Sequence, residues 1–222
     1  MTFATVLYVA LPNRLNLLHT EFEFNNRKIQ NLKFKIQMLH PKVLDKEKTA
    51  LVIVDLQEAF RSPINDFAQI AARISIAVRG FQILNLPIII TEQYPKGLGR
   101  TAEEILFLMP PEFEFIEKSA FSSCGASAFT DKLTATGASQ IVLCGLEAHV
   151  CVNQTAHDLL NENFEVHLLT DCVSSRFSHD REAALKKMQG SGVVSSSVEM
   201  ALFELMRDSR HEQFKEVQNL IR

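Results

Sequence analysis

Thr49-Ala50-Leu51-Val52-Ile53-Val54-Asp55-Leu56-Gln57 decides the fold. Five consecutive apolar residues, 50 to 54, run into an aspartate. A continuous apolar run of that length, bounded by polar residues, fits a central parallel strand covered on both faces. Asp55 then stands at the strand's carboxyl end, where open α/β sheets form their ligand sites. As a purely structural residue it would cap a turn.

The pattern repeats along the chain. Strand-like segments at 50–54, 88–91, 113–117, 140–144, 166–170 and 193–195 alternate with helix-patterned ones at 67–84, 127–136, 150–161 and 181–188. Helices at 197–206 and near 212–220 close the chain. Ile70, Ile74, Ala77, Val78 and Phe81 share one face of the first helix. Gly137 ends the second, and Gly190 with Gly192 the fourth. Strands joined by helix-length crossovers imply a parallel sheet with helices on both faces. The expectation is a three-layer, Rossmann-like α/β fold with a six-stranded, mostly parallel sheet. The turn Asp55-Leu56-Gln57-Glu58 lacks GxGxxG and P-loop glycines, which argues against a nucleotide-binding domain.

Two more segments bring chemistry to the same edge. Glu112-Phe113-Glu114-Phe115-Ile116-Glu117-Lys118 alternates as a short strand and delivers Lys118 to a loop. Alone, Lys118 reads as a surface lysine. Gly145-Leu146-Glu147-Ala148-His149-Val150-Cys151-Val152 follows the apolar run 140–144 and reads as a tight turn entering a helix. Cys151 reads either as a small buried apolar residue or as a nucleophile. Unpaired N–H groups and the dipole at a helix start favour thiolate. On that ground Cys151 is expected to be the most reactive of the four thiols. An acid, a lysine and a cysteine thus each follow a strand, and parallel strands gather their carboxyl ends at one edge.

In these three segments and their order, the chain resembles the isochorismatase-like cysteine hydrolases. Asp55-Leu56-Gln57, Lys118-Ser119-Ala120-Phe121-Ser122 and Gly145 to Val152 match the family's signatures, and the resemblance spans about residues 41–222. Glu92-Gln93-Tyr94-Pro95-Lys96-Gly97-Leu98-Gly99 and the tail 214–221 resemble the isochorismatase-domain-containing branch. The resemblance implies Cys151 as nucleophile, Asp55 as general base, and Lys118 as the cation holding both. It places the oxyanion hole on the backbone N–H groups of Glu147 and Cys151, with a cis peptide at Leu146-Glu147. Isochorismate vinyl-ether hydrolases carry no cysteine at this position, so Cys151 implies hydrolysis of a small amide, carbamoyl or imide-like substrate through a covalent thioester. The rival reading is a catalytically silent α/β module used for assembly or binding. Gln57, Phe60, Glu92, Tyr94, Phe121 and His149 are candidates for the pocket wall. His149, two residues from Cys151 on a helix, points to a different side and suits a wall better than a Cys–His dyad.

Neither a cofactor nor a metal is expected. Nicotinamidases take metal ligands from an Asp and histidines near the first two strands, whereas residues 55–66 and 88–94 contain no histidine. None of the seven histidines forms a His-x-His or HExxH pair.

The chain has 222 residues, 46% hydrophobic and 22% charged, enough to bury a sizeable core in one domain. A net charge of -3 and a pI near 6.2 argue against a nucleic-acid partner. No apolar run approaches the roughly 20 residues of a membrane span. Cys124, Cys144, Cys151 and Cys172 show no CxxC spacing and fit a reducing, cytoplasmic setting. Residues 1–37 lie outside the strand–helix alternation. They are expected to be a flexible N-terminal extension, with the hydrolase domain over 38–222. The partners expected are a small-molecule substrate and further copies of the chain. Apolar residues such as Val193, Val194, Val198, Met200 and Phe203 support a homo-oligomer.

Overall fold

Strand β1 (Thr49–Val54) is buried at every position, as its unbroken apolar run requires. It pairs in parallel with β2 (Ile88–Gln93) on one side and β4 (Gln140–Gly145) on the other. The computed structural model describes residues 40–222, and the extension expected over 1–37 lies outside the described residues. With β3 (Ile116–Lys118), β5 (Glu165–Val173) and β6 (Val194–Ser196), the sheet has six strands in the order β3-β2-β1-β4-β5-β6. Every pairing is parallel. Lys42–Arg222 forms one compact unit.

The helices divide between the two faces by the period-two geometry of the strands. Leu51 and Ile53 of β1 face α1 (Phe67–Ile83), α7 (Val198–Met206) and Val217 of α8 (Phe214–Ile221). Ala50, Val52 and Val54 face α4 (Ser127–Thr136), α5 (Asn153–Asn161) and α6 (Ser178–Gly190). Two short helices, α2 (Pro95–Leu98) and α3 (Glu103–Leu106), follow β2. No described helix is long and apolar enough to cross a membrane.

Two local departures from the sequence reading bear on the site. The third strand was expected at 113–117, but Phe113 and Phe115 pack partly buried against the core and pairing begins only at Ile116. Their alternation comes from packing, with the two rings edge-to-face at 5.1 Å, and not from a ladder. The helix expected at 150–161 is a π-helical turn, Ala148–Val152, followed by α5. Such turns often sit at functional sites.

The strand order reverses between β1 and β4, and ligands of open α/β sheets bind at that switch point. Gly145 ends β4 there with φ at 121°, and a side-chain carbon on it would collide with the Val54 carbonyl oxygen. Only glycine lets the two strands close up where Asp55 and the Cys151 turn begin.

Candidate active site

Asp55 leaves β1 with φ at 51°, a left-handed conformation that Asp tolerates better than most residues. It is fully buried. Oδ2 accepts from Lys118 Nζ at 2.7 Å, and Oδ1 from the Thr91 hydroxyl at 2.7 Å. Register explains both partners. Val54 stands opposite Thr91, and Gln93 of β2 opposite Lys118 at the end of β3.

Lys118 is caged. Besides Asp55, its Nζ donates to Gln93 Oε1 at 2.7 Å, Phe121 O at 2.9 Å and Ala120 O at 3.1 Å. Its side chain is 0% exposed, so the Coulomb attraction to Asp55 is little screened by solvent. Gln93 is itself fixed through Nε2 to Ser119 O. The surface-lysine reading of Lys118 fails because the loop after β3 folds its carbonyls back around the ammonium.

Cys151 is 6% exposed, and its thiol lies near enough to Asp55 and Lys118 for both charges to act on it. Asp, Lys and Cys, drawn from three strand ends, therefore meet. The expected thiolate character is corrected, however. Burial pushes the thiol up to about 12, the Asp55 charge adds to this, and Lys118 pulls the other way. Cys124 is held lower, at about 11, while burial drives Cys144 and Cys172 well up.

Leu146-Glu147 is a cis peptide, as the resemblance implied. Among the described residues no backbone carbonyl accepts from the Glu147 N–H. Among the described residues the Glu147 side chain makes no hydrogen bond to Asp55, Lys118 or Cys151. Its Oε1 accepts from Arg176 N and Arg176 Nε, both at 3.0 Å.

The expected wall residues occupy different places. Gln57 is fully buried, and its amide ties the loops together through Gln93 O, Gly99 O and Gln93 N. Glu92 is 6% exposed and holds Thr101 N at 2.6 Å and its hydroxyl at 2.7 Å. Phe60 packs partly buried against the core. The rings of Tyr94 and Phe121 are exposed, though their backbones bracket Lys118. His149 meets Ser175 Oγ through Nδ1 at 3.0 Å. Sequence reasoning missed Thr91, Gln93, Ser123, Thr155 and Arg176. Strand pairing brings the first two to the site; Gln93 lies in the run 92–99 that carries part of the resemblance, though nothing in that run names its role, and no local motif marks Thr91. Among the described residues no group of three or more His, Cys, Asp or Glu side chains could hold a metal ion.

Fold and site together define a doubly wound α/β protein with a buried acid, lysine and thiol at its topological switch point. Its sequence matches the isochorismatase domain family over residues 49–200. The chain belongs to that family, with the fold of its hydrolases. Isochorismatase domain-containing protein 2 of Danio rerio is 38% identical over 178 residues, 80% of this chain and 89% of that protein. The structure of MAR1 ribonuclease from Caenorhabditis elegans is 38% identical with a TM-score of 0.76, covering 81% of this chain and 92% of the other. YcaC from Pseudomonas aeruginosa, solved with hexane-2,5-diol and covalent acrylamide, is 25% identical with a TM-score of 0.76, covering 82% and 93%.

Proposed function

We propose that this chain is a cysteine hydrolase that cleaves a small amide, carbamoyl or imide-like substrate through a thioester on Cys151. The observation that carries the reading is a buried Cys151 beside a buried carboxylate that is itself ion-paired to a caged lysine at 2.7 Å. A thiol that rests protonated needs an adjacent base, and Asp55 is that base.

The Cys151 proton passes to Asp55 as sulfur attacks the carbonyl carbon, and Lys118 stabilises the charge on sulfur. The oxyanion takes hydrogen bonds from the Glu147 and Cys151 backbone N–H groups. Collapse expels the amine, which leaves with the proton from Asp55. Water then gives a proton to Asp55 and attacks the thioester. The acid departs, and the proton returns to sulfur. Each cycle consumes one amide and one water and yields one acid and one amine, with no cofactor. Covalent acrylamide in the Pseudomonas aeruginosa relative supports a nucleophile in this fold.

The Caenorhabditis elegans relative favours a second reading, ribonuclease activity. A net charge of -3 and a thiol only 6% exposed fit a small acyl substrate better than a polyanion. The test is a panel of small amides, ureas and carbamates, with single-stranded RNA as a parallel arm and Cys151→Ala as the blank. Turnover of a panel member with an acyl adduct on Cys151 by intact mass is expected. RNA cleavage without amide turnover would refute the acyl reading.

A further inference from the structure

Behind Asp55 lies a row of hydroxyls that the mechanism above does not use. Thr91 Oγ1 donates to Asp55 Oδ1 at 2.7 Å. Ser123 Oγ stands 3.5 Å from Thr91 Oγ1, and Thr155 Oγ1 stands 3.3 Å from Ser123 Oγ. The Ser123 N–H donates to Thr155 Oγ1 at 2.9 Å. Thr91, Ser123 and Thr155 are all 0% exposed. The row starts beside the base, crosses the turn after β3, and ends on α5, one helical turn past Cys151.

Proton counting fixes its direction. An ionised carboxylate only accepts, so the single Thr91 proton points at Asp55. Thr91 can then only accept from Ser123, and Ser123 from Thr155. Thr91 makes the short donation to Asp55, and Ser123 and Thr155 back it across longer contacts of 3.5 and 3.3 Å. A chain of this kind polarises along its length, strengthening the terminal bond by about 10–30% per link.

We propose that Thr91, Ser123 and Thr155 are positioning residues that act through Asp55, favouring return of its proton to the leaving amine over retention. The proposal rests on the assignment of Asp55 as general base to Cys151. Donors to a carboxylate favour its charged form. The chain therefore opposes proton transfer from the thiol and speeds the later transfer to the amine. Removing it pushes the two steps in opposite directions, which a purely structural role would not do.

The test reads Cys151 alkylation by iodoacetamide at neutral pH in the full chain, with peptide mapping to separate the four thiols. Thr91→Val keeps the shape and deletes the donor. Its Cys151 alkylation should rise by roughly ten-fold, the scale of one charge-assisted hydrogen bond. Ser123→Ala and Thr155→Val remove outer links, the latter also the acceptor of the Ser123 N–H, and should raise it by about 1.5-fold. Thr91→Ser restores the hydroxyl and should restore the wild-type rate. On any substrate that the wild type turns over, Thr91→Val should lower kcat while KM holds. If Thr91→Val does not fold, Ser123→Ala carries the test.

Alkylation of Thr91→Val at or below the wild-type rate, with an unchanged melting temperature, overturns the proposal. A rise in Thr91→Val with none in the outer variants also overturns it, because Thr91 would then act alone. Failure of the hydrolase reading looks different. Wild-type Cys151 would label no faster than the buried Cys144 and Cys172, and no panel member would turn over.

Discussion

Lys118→Met tests the centre of the site without requiring a substrate. Methionine keeps the length and much of the apolar stem, so the change is mainly one of charge and hydrogen bonding. The ammonium is 0% exposed and holds four oxygens between 2.7 and 3.1 Å. Its loss leaves the Asp55 carboxylate, 1% exposed at the side chain, with no cation beside it. Breaking a buried pair in this way costs about 3–5 kcal/mol. For a domain of this size 1 kcal/mol moves the melting temperature by about 2–4 °C, so a fall of roughly 6–20 °C is expected. Adding Asp55→Asn removes the stranded charge, so the double variant should melt above Lys118→Met alone. The coupling should be about 1–3 kcal/mol. Calorimetry on the four proteins reads all of this directly. A single Lys118→Met variant melting within about 2 °C of wild type would refute the buried pair, since that shift is under about 1 kcal/mol.

Other outcomes are expected. Asp55→Asn removes a charge that raises the Cys151 thiol, so its thiolate ultraviolet absorbance should appear at lower pH than in wild type. Turnover of a panel substrate should nevertheless fall by roughly 10²–10⁴, the usual scale for losing a general base. Burial pushes the folded Cys151 thiol up to about 12 from an ordinary 9.0. Its contribution to stability is whole below pH 9.0 and is lost as pH climbs towards 12, so wild type should lose denaturant resistance faster than Cys151→Ala across that window. Gly145→Ala places a carbon against the Val54 carbonyl at φ 121° and should cost about 3 kcal/mol or more, read as a lower denaturant midpoint or loss of soluble protein. Phe107 and Met200 are 77% and 51% exposed, and light scattering at micromolar concentration should give a mass above one 25.1 kDa chain.

The fold was legible because its signals are local. An apolar run such as 50–54 states that both faces of the strand are covered, and 127–136 with Gly137 states a helix and its stop. Where two causes write the same pattern, the reading slipped. Phe113 and Phe115 alternate as a strand does, yet they alternate because two rings pack on each other and on the core. The pattern records burial on one side and says nothing of hydrogen bonding.

The site divides the same way, and Cys151 carries the argument furthest. Its place near a helix start predicts thiolate, and the sequence names nothing against it. The opposing forces are tertiary: a fold that leaves the sulfur 6% exposed, and a carboxylate delivered from β1. Burial and the Asp55 charge outweigh the lysine and push the thiol up to about 12. In the proposed mechanism that outcome makes the chemistry depend on Asp55, whereas a preformed thiolate would need no base. It also makes Thr91 and Gln93 matter, because one holds the base and the other holds the cation. Neither is visible from its neighbours in sequence, since each acquires its role from the strand paired beside it. A site built on a stable thiolate could be read from one segment. A site built on proton transfer is written across strands, and it is read only once their register is known.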